Sequence, residues 1–303
     1  MSTELVHDTN GQGKLLVELY ERIIDHLAGI YTVWNSNYDD SMDYRRDLRS
    51  CALVCRAWLD RSRVHLFSIV HVEGTKLRSF ERTIRISPTI SPFVQNFDFW
   101  NTYLDETAHT PADKTSETMS HAIRVAEKLK NIWKLNVGHI NMNSEHPRLP
   151  ELIRALGSAS KLSVVSVYST TPTRLTQLLR VVTAFHRARL LKFRVPIITP
   201  SYPIRHRPYL ADGSLLALQL SIEQGTSHFL EWLINRRTFT SKLRAIEIDL
   251  TTPLPSSEIH SSLALLSQLL EDCGDHIEEF TFGADVTVKE SKNLPFSKPP
   301  LSP

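Results

Sequence analysis

A chain of 303 residues, 41% of them apolar, can bury a sizeable core, and 35 Lys and Arg against 33 Asp and Glu leave a net charge of only +2, which speaks against a nucleic-acid coat. Three cysteines (Cys51, Cys55 and Cys273) are too few and too uneven for a disulfide framework and suit a reducing compartment. No apolar run reaches the roughly eighteen residues of a membrane span, and the opening MSTELVHDTNGQGK lacks a basic-then-apolar leader, so a cytoplasmic or nuclear protein is expected.

Residues 1–14 read as a flexible lead. The following KLLVELYERIIDHL sets Leu16, Leu19, Ile23, Ile24 and Leu27 on one broad face of a helix. Residues 29–44 are polar with scattered aromatics and read as a surface loop. The segment RRDLRSCALVCRAWLDRSRVHLF, 45–67, reads as two short helices, with Leu48, Ala52 and Cys55 on a stripe that Leu53 and Ala57 extend and that Trp58 and Leu66 follow. Three helices this small cannot cover all their apolar surface with one another, so a partner is expected to cover the remainder.

These residues resemble the F-box domain. The family opening Leu-Pro-x-Glu-Leu is matched by Leu15, Leu16, Val17, Glu18 and Leu19, and the later Val-Cys-Arg-x-Trp by Val54, Cys55, Arg56 and Trp58. Leu16 stands where the family has proline, and 29–44 is an insertion between the first and second helices. The resemblance implies docking to a Skp-type adaptor, and through it to a cullin–RING ubiquitin ligase, by Leu15, Leu16, Leu19, Ile23, Leu53, Val54, Cys55 and Trp58. It also implies a domain over 15–66.

Beyond residue 66 one spacing recurs: an apolar residue, a second three positions on, a third two further. The triplets are Phe67/Val70/Val72, Val94/Phe97/Phe99, Ile132/Leu135/Val137, Leu162/Val165/Val167, Leu190/Phe193/Val195, Leu215/Leu218/Leu220, Leu243/Ile246/Ile248 and Ile277/Phe280/Phe282. Each ends in the period-two alternation of a strand. Helix-like stretches lie between most of them, at 76–86, 117–130, 174–188, 227–237 and 257–272. A strand and helix repeating this way are the signature of a solenoid. The triplets resemble the L-x-x-L-x-L core of leucine-rich repeats, in degenerate form and without the family's asparagine. The expected fold is therefore α/β: a three-helix F-box domain followed, over 67–285, by an irregular leucine-rich-repeat-like solenoid of parallel strands. An ordinary α/β domain, its strand order shuffled, is the alternative. The proline-rich tail, 286–303, is expected to be disordered.

On such strands the residues alternating with the buried ones form an open face. Trp100, Asn136, Tyr168, Lys192, Arg194, Glu247 and Asp249 are its candidate substrate-binding residues. From Leu152 to Ala211 there are ten Lys or Arg and no acid, whereas Asp212–Asp285 holds twelve acids and four bases. The basic block, including Arg174, Arg187, Arg189, Arg205 and Arg207, suits an acidic or phosphorylated segment, because guanidinium forks match carboxylate and phosphate oxygens. A nucleic-acid partner is disfavoured by the absence of a recognised motif or a stacking row. No nucleophile elbow, phosphate loop or paired-carboxylate motif is visible, and Cys51 and Cys55 read as small buried residues rather than half of a zinc site, so neither an enzyme nor a cofactor is expected. The expected function is a substrate-receptor subunit of an SCF-type ubiquitin ligase. The alternative is a non-catalytic scaffold outside ubiquitin transfer, which Leu16 and the insertion favour.

Overall fold

The computed structural model describes residues 17–28, 41–100, 112–139, 148–169, 173–185, 187–199, 215–235, 242–250, 256–273 and 276–284. Residues Leu15 and Leu16, Arg205 and Arg207, the lead 1–14 and the tail 286–303 lie outside them. Three helices come first: α1 over 17–28, α2 over Ser41–Val54 and α3 over Arg56–Ser68. Ile24 and Ala28 of α1 and Leu48 and Cys51 of α2 form a small buried cluster, against which Tyr20, Leu27, Trp58 and Leu66 pack. Part of the segment expected as a loop is helical, since α2 starts at Ser41. The break between α2 and α3 falls at Cys55, whose backbone is extended. It divides the expected stripe: Leu48 is buried, while Leu53 and Cys55 are exposed.

Helix α3 runs directly into the first strand, β1 (Ile69–Glu73), so Phe67, the first residue of its triplet, lies in the helix and is half-buried, while Val70 and Val72 take the paired strand positions. There follow α4 (Leu77–Ile86), β2 (Asn96–Trp100), α5 (Ala112–Lys128), β3 (Lys134–Gly138), α6 (Leu149–Gly157), β4 (Val164–Tyr168), β5 (Thr173–Arg174), α7 (Leu175–Ala184), β6 (Leu190–Thr199), β7 (Ala217–Gln224), α8 (Thr226–Ile234), β8 (Ala245–Leu250), α9 (Ser256–Cys273) and β9 (Glu279–Ala284). Among the described residues, no helix is long and apolar enough to cross a membrane.

The strands make one mixed α/β architecture. Eight of them lie side by side as β1-β2-β3-β4-β6-β7-β8-β9, and the two-residue β5 pairs with the far end of β6. Every described pairing is parallel. A parallel neighbour cannot be reached by a tight turn, and helices α4 to α9 supply the described crossovers; the connection from β6 to β7 lies outside the described residues. Ahead of the strands a second ladder ties the units together: Trp133 donates its N–H to Gln95 O, Ser163 to Trp133 O, Arg189 to Ser163 O, Leu216 to Arg189 O and Arg244 to Leu216 O.

One face of the sheet closes the core. Val70 and Val72, Phe97 and Phe99, Leu135 and Val137, Val165 and Val167, Leu191 and Phe193, Leu218 and Leu220, and Ile246 and Ile248 are all buried there. Helices contribute the facing residues at helical spacing, as with Leu175, Leu178, Leu179 and Val182 of α7. Two triplets depart from expectation. In β6 the pairing sets Leu191 beside Val165 and Phe193 beside Val167, so the equivalent triplet is Ala188/Leu191/Phe193, two residues earlier than Leu190/Phe193/Val195. Ala188 is nearly inaccessible, and its small side chain hides it from a search for large apolar residues. In β9, which pairs with β8, Phe280 is exposed where a buried residue is expected. Helix α6 is also absent from the sequence expectation, since Pro150 looks like a breaker but occupies the first turn, where a missing N–H is harmless.

Candidate functional site

The first surface belongs to the three-helix unit. Packing Ile24 and Ala28 inward turns Leu19 and Ile23 of α1 outward, 56% and 44% exposed. Leu53 and Val54, in the last turn of α2 beside the break, are 87% and 62% exposed. Just past that break, α3 meets α1 where the Tyr20 ring lies 5.9 Å from that of Trp58. Burial, then the charges of Glu21 and Cys55, raises the Tyr20 phenol above its ordinary value. Trp58 is half-buried against the unit's own cluster, and Cys55 is exposed where a buried residue is expected. Across the unit Asp25 accepts hydrogen bonds from Arg61 Nε at 2.6 Å and Nη2 at 2.5 Å and contacts His65 Nε2 at 2.8 Å, bracing α1 on α3. The Arg61 hydrogen bonds hold the Asp25 carboxyl below its ordinary range against the opposing effect of burial. What results is a braced helical unit displaying apolar side chains to solvent.

The second surface is the open face of the sheet, where strand pairing aligns side chains into rows. The middle row runs His71, Asp98, Asn136, Ser166, Lys192, Gln219, Glu247 and Thr281. The next row, toward the strand ends, runs Glu73, Trp100, Gly138, Tyr168, Arg194, Ser221, Asp249 and Gly283. All seven sequence-derived candidates therefore lie on one face. They are not one cluster: Trp100 and Asp249 are five strand steps apart, about 24 Å at about 4.8 Å per step.

Three zones divide this face. In the first, Asn136 Nδ2 donates to Asp98 Oδ1 at 2.5 Å, and His71 Nδ1 stands 3.9 Å from Asp98 Oδ2. Burial raises the Asp98 carboxyl and lowers the His71 imidazole, so the enclosure favours the neutral form of both. The second zone is an aromatic shelf. Trp100 stacks on Tyr168 with centroids 5.6 Å apart and planes 19° apart, spanning the intervening strand because Gly138 has no side chain there. A Cβ on Gly138 would lie 2.3 Å from Trp100 Cε3. His139, at φ 55°, places its ring 5.3 Å from Trp100, and His71 approaches from the other side at 6.1 Å. Charge defines the third zone. Lys192 and Arg194 of β6 stand two strands from Glu247 and Asp249 of β8, and Gln219 between them donates to Glu247 Oε1 at 2.8 Å. Among the described residues these four side chains make no ion pair with one another.

Gly138, His71 and His139 are absent from the sequence-derived set. Gly138 was readable there, as the counterpart of Trp100 and Tyr168 in the triplet alignment; His139 lies just past its strand, where alternation carries no signal. A groove on the helical side, between α4 and α5, is lined by Arg78, Arg82, Arg85, Arg124 and Lys128 against Glu81 and Glu127 and so keeps an excess of positive charge, although Glu81 is held by Arg124 at 2.7 Å and by His121. No protein-family model matches the chain, and no curated protein matches it.

Proposed function

We propose that this chain is a substrate receptor of an SCF-type cullin–RING ubiquitin ligase. Its three-helix unit acts as an F-box that docks on a Skp-type adaptor, and a leucine-rich-repeat-like solenoid offers its open face to a protein substrate. The observation that carries the proposal is the set of apolar side chains Leu19 and Ile23 of α1 and Leu53 and Val54 of α2, left exposed by a helical unit whose own core is closed by Ile24, Ala28, Leu48 and Cys51. With Leu15, Leu16, Cys55 and Trp58 they are the positions that match the adaptor-facing residues of the family. A solenoid is supported by strand order: a doubly wound sheet reverses direction at a switch point, whereas β1 to β9 follow the chain. Ubiquitin transfer itself is the work of partner subunits.

Replacing Leu53 and Val54 together by Asp tests the docking role. Both side chains project from the unit, so the fold should persist, with far-ultraviolet dichroism unchanged, while co-purification with the adaptor is lost. Retention of the adaptor by the double variant would refute docking through this surface.

A further inference from the structure

The aromatic shelf and the two charged strands lie on one face in a fixed order, and that order describes a ligand. Resting on the substrate-receptor function above, we propose that the open face binds an extended peptide segment that crosses the strands and carries an aromatic side chain, an acidic side chain and a basic side chain, in that order, about three residues apart.

The spacing comes from the sheet. The shelf of Trp100 and Tyr168 is centred over β3, where Gly138 leaves room for the indole against the backbone. Lys192 and Arg194 stand two strands further on, and Glu247 and Asp249 two strands beyond those. Two strand steps are about 10 Å, and an extended chain covers that in about three residues. An aromatic group settles on the shelf by offset or edge-to-face contact. A carboxylate or phosphate then meets Lys192 and Arg194, whose side chains have no ion-pair partner among the described residues. A Lys or Arg after another three residues meets Glu247 and Asp249. Alternating charge also discriminates: a nucleic-acid strand attracted by β6 would carry its next phosphates into the acids of β8, so a peptide fits and an oligonucleotide does not.

The probe is a labelled twelve-residue Gly/Ser peptide carrying Phe-x-x-Glu-x-x-Lys, with its reversed sequence tested beside it because the face does not dictate chain direction. Fluorescence anisotropy is read with the full-length chain. The control peptide has the same composition with Glu and Lys exchanged. One of the first two should bind at least tenfold more tightly than the control. The double variant Lys192→Glu, Arg194→Glu should lose that preference, and a peptide with Lys in place of its Glu should regain affinity for it. Trp100→Ala should weaken the Phe peptide about tenfold and leave the Glu/Lys discrimination in place. Equal binding of the control, no binding of either peptide up to millimolar concentration, or displacement by a single-stranded oligonucleotide would overturn the proposal. Adaptor co-purification of the same variants separates the two claims: an intact adaptor complex with no peptide preference defeats this inference alone, and loss of the adaptor from the unmodified chain defeats the receptor function instead.

Discussion

Two glycines and one ion pair show how single residues set the surfaces. At Gly138 the requirement is close approach, because the Trp100 ring occupies the volume a Cβ would need. Gly138→Ala should displace the indole, shift tryptophan emission and cost about 1–3 kcal/mol by overpacking, read by thermal unfolding. At Gly225 the requirement is conformational as well: its φ is 81°, and a Cβ would lie 2.0 Å from the Ile198 carbonyl oxygen. Gly225→Ala should therefore cost more than the roughly 1–2 kcal/mol of a left-handed residue alone. Asp25 braces α1 on α3 through a bidentate Arg61 contact at a partly exposed site, where solvent screening limits such pairs to about 1 kcal/mol. Its folded carboxyl titrates below the unfolded value of about 3.9, so the pair stabilises fully at neutral pH, and that contribution is lost as pH falls below about 4 toward the folded pKa. Arg61→Ala should lower the unfolding temperature at pH 7 and flatten the dependence below pH 4; an unchanged acid limb would remove the pair from this role.

At the scale of elements, the residues that face a core were legible and the residues that interrupt an element were not. The buried pairs of β2, β3, β4, β7 and β8 follow directly from the triplets, because alternation in a one-sided sheet allows a single register. In β6 both Leu190 and Ala188 satisfy the triplet spacing, and the larger side chain marks a position two residues beyond the one that strand pairing selects. A slip of two preserves facing, and Lys192 and Arg194 kept their place on the open side for that reason. The break at Cys55 had no such protection. Continuing the helical period through it put Cys55 in the core, whereas the break ends α2 and leaves Leu53 and Val54 exposed. Core packing gives the sharpest element-level prediction. Phe193 is 2% exposed between the helices and β6, and Phe193→Ala should cost about 3–5 kcal/mol in denaturant unfolding. A loss below 1 kcal/mol would contradict the register.

Across the whole molecule, one principle divides labour between the two parts. The sheet lays eight parallel strands side by side in chain order, buries one face against helices and leaves an open face whose chemistry changes strand by strand. The helical unit closes a small core of its own and leaves Leu19, Ile23, Leu53 and Val54 exposed. The sequence carried that asymmetry in its charge blocks and triplets. It did not carry the stacking of Trp100 on Tyr168 across Gly138, which arises only when three strands distant in the chain are brought side by side.

The measurement that bears most directly on the proposed function is size-exclusion chromatography of the full chain with the Skp-type adaptor of its host at low micromolar concentration. The account predicts a stable one-to-one complex, abolished by Leu53→Asp with Val54→Asp. Separate elution of the two proteins would contradict it and leave the open face of the sheet to carry the function alone.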